Sequence, residues 1–467
     1  MSVAGTYYIR TFGCQMNEHD SERLSGMLED EGYARVEDPE NAKVVVFNTC
    51  CIRENADQKL YGNLGHMKSI KDTRPDMRIV VGGCLAQKDK QTIQERAPYV
   101  DVVLGTHNLA SLPRLLAESE DGPAFEILEQ TEIFPSALPA RRMSPWHAWV
   151  SISIGCNNSC TFCIVPAVRG KEVSRRPGDI AGEVAELVRD GVVEVTLLGQ
   201  NVNSYGRDIG GTPLFAHLLR QLDDISGLER VRFTSPHPKD FRADTVAAMA
   251  ECRSVCEHIH LPVQAGSDRI LKRMKRAYTR RRYLEKVDMV RAAIPDVAIT
   301  TDIIVGFPGE TEADFQDTLS LVADARYDQA YTFQYSPRPM TEAASFDEHV
   351  PKEVVQERFE RLLELQNEIS LEHNRATIGR TEQVLVEGVS KKDPTRLTGR
   401  TRTNKLVHFD SDGAEPGAFR TVRVTGARTH HLDGVLVAGE SRPPRESRSG
   451  LSLPLLSTSS SGCASCN

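Results

Sequence analysis

At 467 residues the chain is too long for one ordinary core, and about two to four domains are expected. Its 40% hydrophobic and 26% charged content is that of a soluble globular protein, and its formal net charge of -8 excludes a protein that coats nucleic acid indiscriminately. Any nucleic-acid contact must therefore be local. No run of about 18 apolar residues occurs, and residues 1–5 lack a basic segment leading into an apolar one, so a cytoplasmic protein with no membrane partner is expected. In that reducing compartment the 11 cysteines point to metal or redox chemistry and away from a disulfide framework.

The first segment alternates short apolar strands with helical stretches. Strands are expected over 7–12, 43–47, 78–81 and 101–104, and helices over about 20–30, 54–71 and 86–97, the pattern of an open parallel α/β sheet. Cys14, Cys50 and Cys84 each fall just past the carboxyl end of a strand, where sites form in such sheets, so three thiols can meet there. The alternative is coincidence among small apolar core residues, but those tend to lie inside strands and helices. Cys51 complicates the pattern, because adjacent side chains on extended backbone point in opposite directions. Only one of Cys50 and Cys51 is expected to face the crevice. Residues 122–145, with Pro123, Pro135 and Pro139 and no clear period, read as an inter-domain linker.

An apolar alternating run over 149–154 then leads into Gly155 and three thiols, Cys156, Cys160 and Cys163. Three residues separate the first pair and two the second, so the thiols can converge on a cubic iron-sulfur cluster and leave it one ligand short. A zinc knuckle is the alternative, but it needs a fourth Cys or His at short spacing; His147 precedes the strand and no Cys follows until Cys252. Further strands are expected over 194–198, 230–234, 258–261, 298–305 and 330–335, with room for a helix between each. Six strands with βα crossovers make a partial (β/α)6 barrel, whose chemistry belongs on the loops after the strands. Those loops are rich in Gly, Pro and amides, and lack paired carboxylates or a Ser/His/Asp set, so hydrolytic acid-base catalysis is not indicated. Their amides, Gln200, Asn201 and Gln264 among them, either hold a nucleoside-like cofactor or simply shape turns. His237 is a candidate base. Cys252 and Cys256, spaced i, i+4 on an expected helix over 244–256, read as packing. The run from Arg269 to Arg282, with Lys272, Arg273, Lys275, Arg276, Arg280 and Arg281, is either a nucleic-acid patch or a solvated helix face.

One amphipathic helix over 352–377 leaves the barrel, and short strands over 383–387, 396–401, 406–409, 421–424 and 435–437 assemble most naturally as a small antiparallel β-barrel. Such barrels often bind single-stranded nucleic acid, with Lys391, Lys392, Arg396, Arg400, Arg402 and Lys405 placed to meet phosphates. From 441 onward the chain is Ser-, Pro- and Arg-rich and reads as a disordered tail, where the spacing of Cys463 and Cys466 is taken as incidental.

Cys156-x-x-x-Cys160-x-x-Cys163, with Phe162 before the last thiol, resembles the signature of radical S-adenosylmethionine enzymes, and the three strand-end thiols upstream resemble those of the methylthiotransferases. The resemblance runs over about residues 5–440. Residues 48–56, 165–175, 199–203 and 302–311 look like the branch that adds a methylthio group to isopentenyladenosine in tRNA; relatives acting on threonylcarbamoyladenosine or on a ribosomal-protein aspartate differ after Asn48-Thr49-Cys50. Cys51 stands where the branch more often has Ser, Ala265 where Ser is usual, and Ala277 and Met340 where Gly is usual.

The resemblance implies an auxiliary-cluster domain over 1–121, a linker over 122–145, a radical core over 146–375, a TRAM-type RNA-binding barrel over 376–440 and a tail over 441–467. It implies two [4Fe-4S] clusters, one on Cys14, Cys50 and Cys84 and one on Cys156, Cys160 and Cys163, with S-adenosylmethionine near Phe162, Gln200, Asn201 and Gln264. The partners it implies are the tRNA anticodon arm and a reductant such as a flavodoxin or ferredoxin, for a monomeric enzyme. A non-catalytic, metal-bearing RNA-binding protein is the alternative from another class.

Overall fold

The computed structural model describes residues 4–51, 56–129 and 138–437, with only the backbone of 56–58. The tail with Cys463 and Cys466, residues 52–55 of the motif after Cys50, and Pro135 of the expected linker lie outside the described residues.

The first layer is a parallel sheet in the order Tyr33–Arg35, Gly5–Thr11, Val44–Thr49, Arg78–Gly83, Val102–Leu104, Ala124–Glu126. Val44–Thr49 is buried at every position, and the alternation of its side chains divides two cores. Val45 and Phe47 join Ile79, Val81 and Leu85 on one face, while Val44 and Val46 join Val80, Leu24 and Leu112 on the other. Two edge strands exceed the four expected. Ala124–Glu126 extends the sheet from inside the expected linker, pairing Val102 with Ala124. Residues 138–143 also lie against the helix Gln15–Asp30: the Arg141 backbone N–H donates to the Glu22 carbonyl at 2.8 Å. The helix expected over 86–97 is broken at Lys90, whose φ is +48°, into Cys84–Asp89 and Thr92–Arg96.

The second unit has its six parallel strands in two hydrogen-bonded sets. His147–Ser151, Glu194–Leu198 and Arg230–Phe233 form one; His258–His260, Ala298–Val305 and Gln329–Gln334 form the other. A parallel bridge between Val231 and Val255 joins them, so the partial barrel is continuous. The first strand ends at Ser151, earlier than expected, and Ser153–Ile154 pairs antiparallel with Val173–Ser174. The helix expected over 244–256 stops at Glu251, and Cys252 and Cys256 are both buried, Cys252 within the barrel core.

The helix Lys352–Arg375 leads to a closed barrel of Thr381–Val389, Arg396–Arg400, Leu406–Asp410, Leu432–Leu436 and Phe419–Ala427. Its third neighbour pair, Leu406–Asp410 with Leu432–Leu436, is parallel, so the barrel is not purely antiparallel. This barrel sits at the amino ends of the six parallel strands. Arg230 donates to the carbonyls of Arg400 and Gln383, both at 2.8 Å, and Arg232 to those of Thr401 and Arg402 at 2.8 and 3.0 Å. These buried guanidinium groups are tolerated because backbone carbonyls replace their lost water. Arg402 and Lys405, expected to meet phosphates, instead pair with Glu257 and Asp328 across the same junction. Among the described residues no helix is long and apolar enough to cross a membrane.

Candidate active site

The carboxyl ends of the strands hold both thiol groups. Gly155 opens the loop of the first with φ +76°, and a Cβ there would stand 2.0 Å from the Lys171 carbonyl oxygen. Cys156 N–H donates to the Gly170 carbonyl at 3.1 Å, and Thr161 N–H to the Met274 carbonyl at 3.2 Å, so the loop is tied down on both sides. Cys156, Cys160 and Cys163 are all partly exposed. Burial pushes the Cys163 thiol up to about 12 and raises Cys156 as well. The buried Arg276 donates to the Cys160 sulfur at 3.2 Å, to the Pro262 carbonyl at 3.2 Å and to the Tyr278 hydroxyl at 2.8 Å. Phe162 meets Phe307 edge-on, 6.5 Å between centroids.

The expected amides lie at this mouth in different states. Gln264 has φ +73° although it is not glycine, held by its N–H on the Asp302 carbonyl and its carbonyl on the Ile304 N–H, both at 2.9 Å. Such backbone costs about 1–3 kcal/mol and clusters at functional sites. Asn201 is buried, donates to Asp240 at 2.8 Å and leaves its amide oxygen without a partner. It lines a cleft with Asn158, Glu172, Arg207, Lys239 and Asp240. Gln200 precedes it, half-buried. His237 does not suit the role of base: burial, with Arg276 and Lys239 nearby, holds it down at about 2, and its Nδ1 accepts from the Lys239 N–H.

The second group draws on three strand ends. Cys14 caps the helix Gln15–Asp30, and Cys50 and Cys84 follow Val44–Thr49 and Arg78–Gly83 directly. Parallel register, Thr11 with Asn48 and Thr49 with Gly83, sets them side by side. Gly13, at φ +121°, leaves room for Cys50, whose sulfur would lie 2.8 Å from a Cβ there. Asn17 is the hub. Its amide nitrogen donates to the carbonyls of Phe12 and Thr49 at 3.1 and 2.9 Å, and its oxygen lies 3.8 Å from the sulfurs of both Cys14 and Cys84. A hydrogen bond from Cys50, reinforced by the Arg169 charge, holds Cys14 down at about 6; one from Cys51, with the same arginine, lowers Cys84.

Cys51 joins Val45 and Phe47 in one buried cluster, the face that alternation along this strand gives it.

Arg169, Asn17, Asp20 and Arg276 were missed as site residues. Arg169 ends the helix Val165–Arg169, just past Cys163, and reaches into the first domain to donate to Asp20 at 2.7 Å and to Asn17 at 3.2 Å. Burial opposes its charge, but Asp20 and the thiols of Cys84 and Cys14 outweigh that and hold it well above the usual range. Asn17 and Asp20, three apart on the helix that Cys14 caps, share its face, a signal available in the sequence.

Among the described residues no three Cys, His, Asp or Glu side chains converge on one point as a single ion requires. A cubane carries its thiolates on separate irons, so it asks for thiols set apart around a common space, and Cys14 and Cys84 on either side of the Asn17 amide fit that demand.

The basic run from Arg269 is not an open patch. Arg269 pairs with Asp314, Arg273 with Glu348, Lys275 with Glu342, Arg280 with Asp324 and Arg281 with Glu285.

Residues 6–105 match the uncharacterized protein family UPF0004, residues 150–322 the Radical SAM superfamily and residues 375–437 the TRAM domain. Among solved structures, the radical S-adenosylmethionine methyltransferase TsrM from Kitasatospora setae shares the fold at TM-score 0.53 and 14% identity, over 73% of this chain and 75% of that one. Among curated relatives, a tRNA-2-methylthio-N(6)-dimethylallyladenosine synthase of Streptomyces viridosporus is 58% identical over 96% of this chain and 90% of its own. One of Thermobifida fusca is 58% identical over 92% and 89%. With that identity along nearly its whole length, the chain belongs to the tRNA-2-methylthio-N(6)-dimethylallyladenosine synthase family.

Proposed function

We propose that the two thiol groups divide one reaction, Cys156, Cys160 and Cys163 ligating the cluster that starts radical chemistry and Cys14, Cys50 and Cys84 the one that carries sulfur. As a member of its family the chain is a radical S-adenosylmethionine methylthiotransferase that modifies tRNA, with two [4Fe-4S] clusters and S-adenosylmethionine as cofactors. When bound, these groups supply the electron that cleaves S-adenosylmethionine to a carbon radical, the abstraction of hydrogen from carbon 2 of the adenine, and the sulfur that a second S-adenosylmethionine methylates.

The chain's own residues position and shield. Arg276 donates to the Cys160 sulfur and so offsets charge on that ligand. The unpartnered Asn201 oxygen and the strained turn at Gln264 offer polar contacts to the nucleoside cofactor, with Gln200 beside them and Phe162 as an apolar wall. The target adenine must leave its stack to reach this mouth, a cost of about a few kcal/mol that a loop base reduces. We assign the anticodon arm as the RNA contacted. Lys391 and Lys392, exposed on the small barrel and without ion pairs among the described residues, are its phosphate contacts. A one-electron protein such as a flavodoxin or ferredoxin reduces the enzyme, which works as a cytoplasmic monomer. The division of the chain at 1–121, 146–375 and 376–440 follows these roles.

Arg169 carries this reading: the segment that leaves the radical loop ends buried beside Cys14 and Cys84, so the two sites share a wall. Cys160→Ala should abolish 5′-deoxyadenosine formation while Cys14→Ala leaves it and stops the methylthio product, read by mass spectrometry of tRNA nucleosides. Continued 5′-deoxyadenosine in Cys160→Ala, or full product in Cys14→Ala, would end the assignment.

A further inference from the structure

The sixth strand of the partial barrel, Gln329–Gln334, pairs with Ala298–Val305 on one side, and among the described residues no strand pairs with its other edge. Its two faces differ. Ala330 packs against the barrel core and Gln334 donates to Gln356 on the helix Lys352–Arg375 at 2.7 Å, so that face turns toward the helices. By alternation Tyr331 and Phe333 face the barrel interior. They are 45% and 49% exposed, and no other Phe, Tyr or Trp among the described residues is as open. Loss of surrounding water nevertheless raises the Tyr331 hydroxyl above its usual range, which sets the ring within walls and not on the outer surface. Apolar rings left open inside a concave wall mark a binding groove.

Its walls lead to the thiols. Register sets Tyr331 beside Asp302 and Phe333 beside Ile304, both half-buried. The His260 ring stands 5.8 Å from Tyr331 and meets Thr300 at 3.0 Å and Asp302 at 3.3 Å. On the other open edge, the strand His147–Ser151, Ala148 and Val150 belong to the core under the helices, so Trp149 turns inward and packs with Leu198 and Cys14. The interior that holds the two open rings therefore borders a thiol of the strand-end site.

We propose that Tyr331 and Phe333 form the slot for the N6-dimethylallyladenine base of the tRNA, their faces taking the flat ring and its five-carbon tail. The proposal rests on the reading of the two thiol groups as one site acting on tRNA. The occupant follows from its shape: a flat base stacks on aromatic rings, and a branched apolar tail is covered by Phe333 with Ile304 beside it. Carbon 2 must also come within reach of both thiol sets, and this interior opens at the strand ends that carry them.

The test uses the full-length enzyme, loaded anaerobically with iron and sulfide, and two anticodon stem-loop RNAs that differ only in carrying N6-dimethylallyladenosine or adenosine at the target position. An apolar tail of this size in a fitted slot is worth about 10- to 100-fold in affinity, and the unaltered enzyme should prefer the dimethylallyl RNA by that much. Phe333→Ala and Tyr331→Ala should each lower the preference, and the double variant should bring the two RNAs to nearly equal affinity. A double variant that keeps the full preference, or an unaltered enzyme that binds both RNAs equally, overturns the proposal. Variants that keep the preference but lose affinity for S-adenosylmethionine in equilibrium dialysis assign the rings to the cofactor and overturn it as well. An unaltered enzyme that binds neither RNA overturns instead the tRNA reading beneath it. Thermal unfolding checks each chain, and Phe333→Gln with Tyr331→Gln takes the place of the alanine pair if that pair is unfolded, because a polar group at these half-exposed positions still meets water.

Discussion

The two thiol sites are built in opposite ways. Cys156, Cys160 and Cys163 come from one loop and are partly exposed; burial pushes Cys156 and Cys163 upward, and Arg276 donates to the Cys160 sulfur. Cys14, Cys50 and Cys84 come from three strand ends, and Cys50 and Cys84 are buried; Cys14 and Cys84 are pulled downward by hydrogen bonds from other thiols and by Arg169. A loop site is specified by local spacing and a few tethers. A sheet site is specified by register, so its geometry is inherited from the fold and is harder to disturb one residue at a time.

Arg169 is where the two regions meet, and removing it should have the largest effect. Arg169→Met leaves Asp20 buried without its partner, which costs about 3–5 kcal/mol. Thermal unfolding should fall accordingly, with loss of iron from both sites, whereas Arg169→Lys should recover part of the stability. If iron at the radical loop survives Arg169→Met untouched, the shared wall is not a working connection.

Next come two glycines that separate the sites. Gly155→Ala places a Cβ against the Lys171 carbonyl and Gly13→Ala places one against the Cys50 side chain, at positive φ in both cases. Each should cost about 1–3 kcal/mol of local strain and remove about half of the iron. Gly155→Ala should also lose 5′-deoxyadenosine formation, and Gly13→Ala should keep it. Equal damage by both would mean that the sites are not independent.

Arg276→Met sharpens the comparison within one site. It removes the N–H donor to the Cys160 sulfur, and outer contacts of this kind are worth about 10- to 100-fold in activity or affinity. The reduction potential of the radical cluster should fall and S-adenosylmethionine cleavage should slow, with the strand-end site unchanged.

What the sequence discloses follows the same contrast. The inner strands of the first sheet are legible because burial on both faces writes them as unbroken apolar runs, whereas Tyr33–Arg35 and Ala124–Glu126 are short, partly exposed edges with no such signature. The radical loop is legible from spacing. Arg169 and Arg276 are not, because their partners stand 149 and 116 residues away in sequence. The run from Arg269 reads as a patch for the same reason: the acids that neutralise Arg269 and Arg273 lie 45 and 75 residues further on.

The smallest effect is expected from a group that touches neither thiol set. Glu310 follows the strand Ala298–Val305, accepts from the Gly306 N–H at 3.1 Å and from Arg358 at 2.9 Å, and is nevertheless raised by burial to about 7. A carboxyl raised on folding binds its proton more tightly in the native state. Its contribution is therefore full below the ordinary value of about 4.5 and is lost as pH climbs through about 7. Glu310→Gln keeps an acceptor for the Gly306 N–H and leaves Arg358 the Glu310 carbonyl and Glu312 as partners. Unfolding midpoints measured from pH 4.5 to 7.5 should decline less in the variant than in the parent, with iron content equal in both. An unchanged slope would place the proton elsewhere in the barrel mouth, and a change in iron would show that this mouth and the thiol loop are not as separate as their hydrogen bonds indicate.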